Sequence, residues 1–131
     1  MNATTRLFVG AGALCCTAGV VTGAFGAHAL EQVLSPERLQ TWGKGVDYLF
    51  VHALGLILLG ALETNAPRRC HRVAGVLMMT GILLFSGSLF ALVLSGVRWL
   101  GMITPLGGVC FVVAWLVLGV CYTVANDEEA E

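Results

Sequence analysis

The chain has 131 residues, of which 57% are hydrophobic and only 11% charged, and its formal net charge is -1. Soluble domains carry about 25% charged residues, so this composition excludes an ordinary soluble domain and indicates an integral membrane protein with a single domain. The few basic residues form no arm or stripe, which excludes the electrostatic footprint of a nucleic-acid-binding protein.

The first apolar stretch covers residues 7–30 and is rich in Gly, Ala and Val. A secretory signal peptide is the competing interpretation, because the small residues at 23–29 resemble a cleavage region. Arg6 is the only positive residue before the stretch, and the apolar run is longer than the core of a signal peptide. We therefore expect a retained transmembrane helix.

A charged connector, residues 31–47, follows the first span. Ser35 and Pro36 are typical of a helix start, because Ser caps free N–H groups and Pro is tolerated in the first turn. Leu39 and Trp42 would then lie on one side of the helix. The pattern predicts a short amphipathic helix at the membrane surface that leads directly into the second span.

Three more apolar stretches approach or exceed the length of about 20 residues that a bilayer-spanning helix needs. Charged or turn-forming segments separate them, and an acidic tail, residues 125–131, closes the chain. We predict an all-α integral membrane protein with four transmembrane helices, the later three at residues 46–62, 73–94 and 100–124.

The loop between the second and third spans contains Arg68, Arg69 and Arg72. Short loops rich in Arg and Lys are retained on the cytoplasmic side of the membrane. We therefore expect this loop, both termini and the acidic tail to be cytoplasmic. The connector and the turn at residues 95–99 are then on the outer side.

Small residues predict where the helices approach one another. Burial of apolar surface gives little drive for helix association inside lipid, so close backbone contact has to supply the packing energy. Glycines recur every seven or four residues along the first span, and the third span contains another between two serines. We predict helix packing at Gly12, Gly19, Gly23, Gly26 and Gly87.

Polar side chains within the spans gather near the outer side. Such groups are costly in hydrocarbon and usually face the interior of a bundle. Tyr48 and His52 are four residues apart and share a helix face, and we expect His52 to meet Ser88 or His28. The cluster is either a ligand-binding pocket open to the outer side or a hydrogen-bonded knot that fixes the helices. Its members are His28, Tyr48, His52, Ser86, Ser88 and Thr104.

The five cysteines are an odd number and include no CxxC pair. We therefore expect no disulfide framework, and we treat the cysteines as small hydrophobic residues. Cys70 is the exception, because it lies in a polar loop beside His71.

The sequence predicts no cofactor, no metal site and no catalytic residues. Two histidines on neighbouring helices raise the alternatives of haem and of a metal ion. However, there is no HxxxH spacing, no convincing third ligand and no haem attachment motif. Ser86, Gly87 and Ser88 do not form a nucleophile elbow, because no predicted strand precedes them. We therefore expect a protein that is not an enzyme.

Four motifs occur in a specific order, and Trp42 and Tyr48 stand between the first two. They are Gly-Ala-Phe-Gly-Ala-His-Ala-Leu at 23–30, His-Ala-Leu at 52–54, Leu-Phe-Ser-Gly-Ser-Leu-Phe at 84–90 and Leu-Gly-Met-Ile-Thr-Pro-Leu-Gly-Gly at 100–108. This set resembles the domain-of-unknown-function 423 family, to which transmembrane protein 256 of animals is similar, over about residues 7–122. The resemblance implies a bacterial inner-membrane protein, with mitochondrial relatives in animals and no established activity. Gly43, Lys44 and Gly45 depart from the family pattern, which implies a more flexible junction there.

Small size and little mass outside the membrane favour a non-enzymatic accessory or assembly partner. Such a protein would contact the lipid bilayer and either a membrane-protein partner or another copy of the chain. The alternative is a binding protein or small transporter for a lipid, quinone or other amphiphile. A cavity lined by the outer polar residues would favour binding, whereas direct bonds between them would favour the knot.

Overall fold

The computed structural model describes residues 1–124, so the predicted acidic tail at 125–131 lies outside the described residues. Within the described residues there are four helices long and apolar enough to cross a membrane, and no strand. They are α1 (Ala3–Leu30), α2 (Pro36–Asn65), α3 (Arg69–Ser95) and α4 (Arg98–Val124). The predicted all-α fold with four spanning helices is confirmed.

Helix α2 begins where the connector sequence predicted a helix start. The Ser35 side chain accepts a hydrogen bond from the Arg38 N–H, and Pro36 occupies the first turn. The predicted amphipathic segment is not a separate helix, because it forms the first turns of the 30-residue helix Pro36–Asn65. The helix continues through Gly43 and Gly45, and buried Trp42 and Val46 anchor this stretch against the rest of the bundle.

Three other helix ends have a local cause. The Asn2 side chain caps α1 by accepting from the Thr5 N–H at 2.7 Å. Helix α3 ends at Gly96, whose φ of 72° is a left-handed conformation that glycine adopts without steric cost. Helix α4 opens with a tight 3-10 turn, Arg98–Met102, before the regular helix from Thr104.

The helices pack as two antiparallel pairs. Helix α1 lies along α2 and α3 lies along α4, and contacts between α2 and α3 join the pairs. Within the most apolar 18-residue stretch of each helix, 50% of α2 is buried, against 17% of α1 and of α4. Helix α2 is therefore central, and the outer helices turn most of their apolar surface toward the lipid.

Four of the predicted packing glycines lie on the face of α1 that contacts α2. A Cβ added at Gly12 would lie 2.7 Å from Ala53 O and from Ile57 Cγ1, and one at Gly26 would lie 2.7 Å from the Trp42 ring. Gly19 packs in the same way against Phe50, and Gly23 lies against Val46. Gly87 differs, because a Cβ added there would meet only Ile82 O of its own helix, at 3.9 Å, among the described residues.

Two buried clusters form the interior. The larger one runs through the middle of the bundle and includes Phe8, Leu56, Met78 and Phe111. The smaller one includes Trp42 and lies where α1 meets α2 and α3, near the connector. The Trp42 indole N–H donates to Thr22 O at 2.8 Å, so this large side chain is fixed between α1 and α2.

Candidate functional site

A groove of about 740 Å³ lies between α2 and α4 and extends toward Phe85 of α3. Helix α2 contributes one face of it, where Tyr48 and His52 stand one turn apart. Helix α4 contributes the opposite wall between Pro105 and Trp115. The lining residues are Asp47, Tyr48, Val51, His52, Phe85, Pro105, Gly108, Val109, Phe111, Val112 and Trp115.

His52 is a fixed part of the groove wall. Its Nδ1 lies 2.7 Å from Tyr48 O, and its Nε2 lies 3.1 Å from the Trp115 indole nitrogen. Since the indole can only donate, Nε2 accepts and Nδ1 carries the proton that is donated to Tyr48 O. The ring also stacks on Phe111, with a centroid distance of 3.4 Å. His52 meets Trp115 and not Ser88 or His28, so that expectation from the sequence was wrong.

Asp47 and Tyr48 supply the free polar groups of the groove. Both side chains are exposed, and the Tyr48 ring lies 4.5 Å from the Phe85 ring. Within residues 1–124, neither the Asp47 carboxylate nor the Tyr48 hydroxyl has a hydrogen-bond or ion-pair partner. The groove therefore combines an aromatic wall with two hydrogen-bonding groups that are available to a ligand.

Ser86, Ser88 and Thr104 form hydrogen bonds between helices beside the groove. The Ser86 hydroxyl donates to Gly45 O at 2.7 Å and joins α3 to α2. The Ser88 and Thr104 hydroxyls lie 2.6 Å apart and join α3 to α4. The Ser88–Thr104 pair has the direct contact expected of the knot, Ser86 bonds to the backbone, and Tyr48 and His52 line the groove.

His28 lies apart from both groups. It is exposed and stands on a π-helical turn, Gly26–Leu30, at the end of α1. A second π-helical turn, Ile82–Gly87, carries Ser86 in α3. Such turns are common at functional sites. The turn in α3 places the Ser86 hydroxyl against the α2 backbone. Beside it, Gly107 lets the α4 backbone pack against Phe85.

A second polar cluster lies at the opposite end of the bundle, where the Arg-containing loop connects α2 to α3. Glu63 and His71 are buried, with 2% and 0% exposure. One Glu63 carboxylate oxygen accepts from the Arg68 N–H at 3.0 Å and from His71 Nδ1 at 3.1 Å. Arg72 Nε lies 3.6 Å from the other oxygen. On its far side, His71 Nε2 accepts from the Tyr122 hydroxyl at 2.9 Å.

Sequence reasoning missed this cluster, although a signal was present. Glu63 lies in the last turn of α2, where a carboxylate faces the negative end of the helix dipole. Such a group needs compensation, and the residues that follow it, Arg68, His71 and Arg72, are the ones that contact it.

The interpretation of the cysteines as small hydrophobic residues was wrong for Cys121, which is bonded to Cys70, the cysteine set apart for its polar loop. Cys70 and Cys121 form a disulfide between the start of α3 and the end of α4, with Cα atoms 6.3 Å apart. The two residues meet because antiparallel helices bring these ends to the same side of the bundle. Cys15, Cys16 and Cys110 are free and half-buried, as expected for small residues within spans.

These features define the class of this molecule: a small polytopic membrane protein built as a four-helix bundle. The chain belongs to the family described as "Protein of unknown function (DUF423)", whose model matches residues 22–108. It is 45% identical to a UPF0382 membrane protein of Staphylococcus haemolyticus over 113 residues, which is 86% of this chain and 92% of the relative. It is 42% identical to the UPF0382 membrane protein YwdK of Bacillus subtilis, over 86% of this chain and 93% of the relative. No solved structure gives a significant match.

Proposed function

We propose that this chain is a non-enzymatic membrane protein that binds an amphiphile from the bilayer in the groove between α2 and α4. One observation carries the proposal: the unpaired Asp47 carboxylate and Tyr48 hydroxyl adjoin an aromatic wall on a lipid-facing surface. The polar groups would hold a headgroup, and the wall would hold the apolar body of the same molecule.

The size and position of the groove support this proposal. Ligand pockets usually have volumes of about 300–1,000 Å³, and this groove has about 740 Å³. Val109 and Val112 on its rim are 61% and 60% exposed, so the groove opens toward the lipid tails and not only toward water. A bilayer molecule could therefore enter sideways.

The charge of the lining favours one class of headgroup. Asp47 is the only acidic residue among the lining residues, and there is no Lys or Arg among them. A headgroup that carries a positive charge or several hydrogen-bond donors would pair with this carboxylate, whereas a purely anionic headgroup would be repelled.

We further propose that the protein lies in the bacterial inner membrane with both termini in the cytoplasm. Arg68, Arg69 and Arg72 in the short loop between α2 and α3 support this orientation. The groove and the Ser88–Thr104 hydrogen bond would then lie in the outer half of the bilayer.

An accessory role in membrane assembly is the competing proposal. It is favoured by Gly10 on α1 and Gly119 on α4, because a Cβ added at either would meet no packing neighbour within 4 Å among residues 1–124. Small exposed residues on the two outer helices leave room for close approach by a helix of another membrane protein or of a second copy.

Native mass spectrometry of gently extracted protein, with analysis of the released small molecules, tests the proposal. Val112→Trp fills the groove, and Val120→Trp is the matched control, because Val120 is 57% exposed on the same helix but does not line the groove. We expect a bound amphiphile that is lost in Val112→Trp and retained in Val120→Trp. Equal binding by both variants would refute the groove as the site, and a bound protein without an amphiphile would favour the accessory role.

Tyr48→Phe and Asp47→Asn test the two polar groups separately. Each substitution keeps the shape of the side chain and removes one hydroxyl or one charge. Loss of one hydrogen bond to the headgroup should weaken binding about two- to tenfold, because a typical hydrogen bond contributes about 0.5–1.5 kcal/mol. Unchanged occupancy in both variants would mean that the apolar wall alone holds the molecule.

A further inference from the structure

The disulfide at the Arg-loop end has a third donor group beside it. The ligand atoms of Cys70, His71 and Cys121 all lie within 4.8 Å of one another. Two sulfurs and an imidazole nitrogen are the donors that zinc and related thiophilic cations prefer. The geometry points to a redox-gated metal site: the cysteines form a disulfide when oxidised, and together with His71 they bind a cation such as Zn²⁺ when reduced.

The chemistry of the switch balances with a dithiol as the reductant. The dithiol gives two electrons and two protons to the Cys70–Cys121 bond and becomes a disulfide itself, while the two cysteines become thiols. When Zn²⁺ binds, each thiol loses its proton to solvent and coordinates as a thiolate. Two thiolates neutralise the charge of the ion, so the bound site needs no further anion.

The positions of the two cysteines suit both states. Their Cα atoms are 6.3 Å apart, on the ends of two different helices. Zinc–sulfur bonds of about 2.3 Å in a tetrahedral arrangement place two sulfurs about 3.8 Å apart. Both cysteines are half-buried, so rotation of their side chains can open this distance without movement of the helices.

His71 already has the support that a histidine ligand normally has. Its Nδ1 donates to the buried Glu63 carboxylate at 3.1 Å, and such a partner fixes the ring and raises the basicity of the other nitrogen. Nε2 is therefore the donor available to a metal. The Tyr122 hydroxyl now occupies it, but Tyr122 is 37% exposed and can swing toward the surface.

The proposed orientation adds an independent argument. If the Arg-containing loop is cytoplasmic, the cysteine pair is in a reducing compartment, where lasting disulfides are rare and cysteine clusters are more often metal-binding or catalytic. The other three cysteines, Cys15, Cys16 and Cys110, have no such cluster of donors around them within the described residues.

Cobalt binding to purified protein in detergent tests the site. The protein is reduced with a phosphine, freed of reductant without air and titrated with Co²⁺, whose thiolate complexes absorb in the near ultraviolet. We expect about one Co²⁺ per reduced chain, displaced by Zn²⁺, and none per oxidised chain. Cys70→Ser/Cys121→Ser should lose this signal, whereas Cys15→Ser/Cys16→Ser removes the same number of thiols and should keep it. Equal cobalt spectra for the two double variants would overturn the site.

A second measurement begins with the wild-type chain. Zn²⁺ should protect Cys70 and Cys121 of the reduced wild-type chain from alkylation, as read by peptide mass spectrometry, and should leave the labelling of Cys110 unchanged. Glu63→Gln should weaken the protection about 10- to 100-fold in Zn²⁺ concentration, because a neutral amide replaces the carboxylate that raises the basicity of the histidine ligand. If Zn²⁺ lowered the alkylation of Cys70 no more than that of Cys110, the proposal would be refuted, whatever the outcome for the groove.

Discussion

The close seam between α1 and α2 allows a quantitative test through Gly12→Ala. The added methyl group would lie 2.7 Å from Ala53 O and from Ile57 Cγ1. Favourable contacts begin at about 3.5 Å, so the helices would have to separate by about 0.8 Å. A gap of that size forfeits about a quarter to a half of each contact along the seam. Overpacking of this kind typically costs about 1–3 kcal/mol, and that is the loss that we expect.

Gly10→Ala is the matched control, because it lies two residues away on the same helix and its added methyl group would have no neighbour within 4 Å. Both substitutions change the intrinsic helix preference equally, so the difference between them isolates the packing term. Equilibrium unfolding in mixed micelles with increasing sodium dodecyl sulfate, followed by tryptophan fluorescence, measures both. If the two variants unfold at the same detergent fraction, the described α1–α2 contact is not the one that stabilises the protein.

Three further substitutions, one of them with a matched control, can be measured in the same unfolding assay. Gly96→Ala should cost about 1–2 kcal/mol, because the φ of 72° at this turn is unfavourable for a residue with a Cβ. Gly43→Ala is the control and should not destabilise the protein, because a Cβ there would have free space among the described residues. Equal stability of the two variants would contradict the turn geometry. Ser88→Ala removes the 2.6 Å hydrogen bond to Thr104 and the 3.0 Å bond to Phe85 O of the same helix. Loss of the bond between helices should cost about 0.6 kcal/mol and no more than about 1.7, and an unchanged unfolding midpoint would contradict its contribution. Trp115→Phe leaves the Nε2 acceptor of His52 without its donor and should cost about 1–3 kcal/mol; an unchanged midpoint would show that water replaces the indole.

The elements of the fold were readable from the sequence for clear physical reasons. A run of apolar residues long enough to cross a bilayer has few alternatives to a helix, and Ser35 with Pro36 gave the start of α2. Ser88 and Thr104, predicted to lie in one cluster, are in direct contact.

The side-chain contacts between helices were harder to predict from the sequence, because hydropathy does not fix the rotation of a membrane helix about its axis. Lipid-facing and buried positions are both apolar, so nothing in the pattern indicated that His52 would face Trp115. The contact between Cys70 and Cys121 depends on which helix ends meet, across a sequence separation of 51 residues. Antiparallel topology makes that meeting reasonable, but the lateral order of the helices decides it.

The groove itself follows from an unequal distribution of small and large residues between the seams. Glycines line the contact of α1 with α2, and Gly81 and Gly107 let α4 lie directly on α3. Between α2 and α4 the facing residues are instead His52, Phe111 and Trp115, which bridge the two helices through their rings. Since α4 is held close to α3 by glycine contacts, by the Ser88–Thr104 bond and by the disulfide, it cannot move toward α2 to close the space. The sequence thus keeps an open seam between α2 and α4, and Asp47 and Tyr48 lie in that seam.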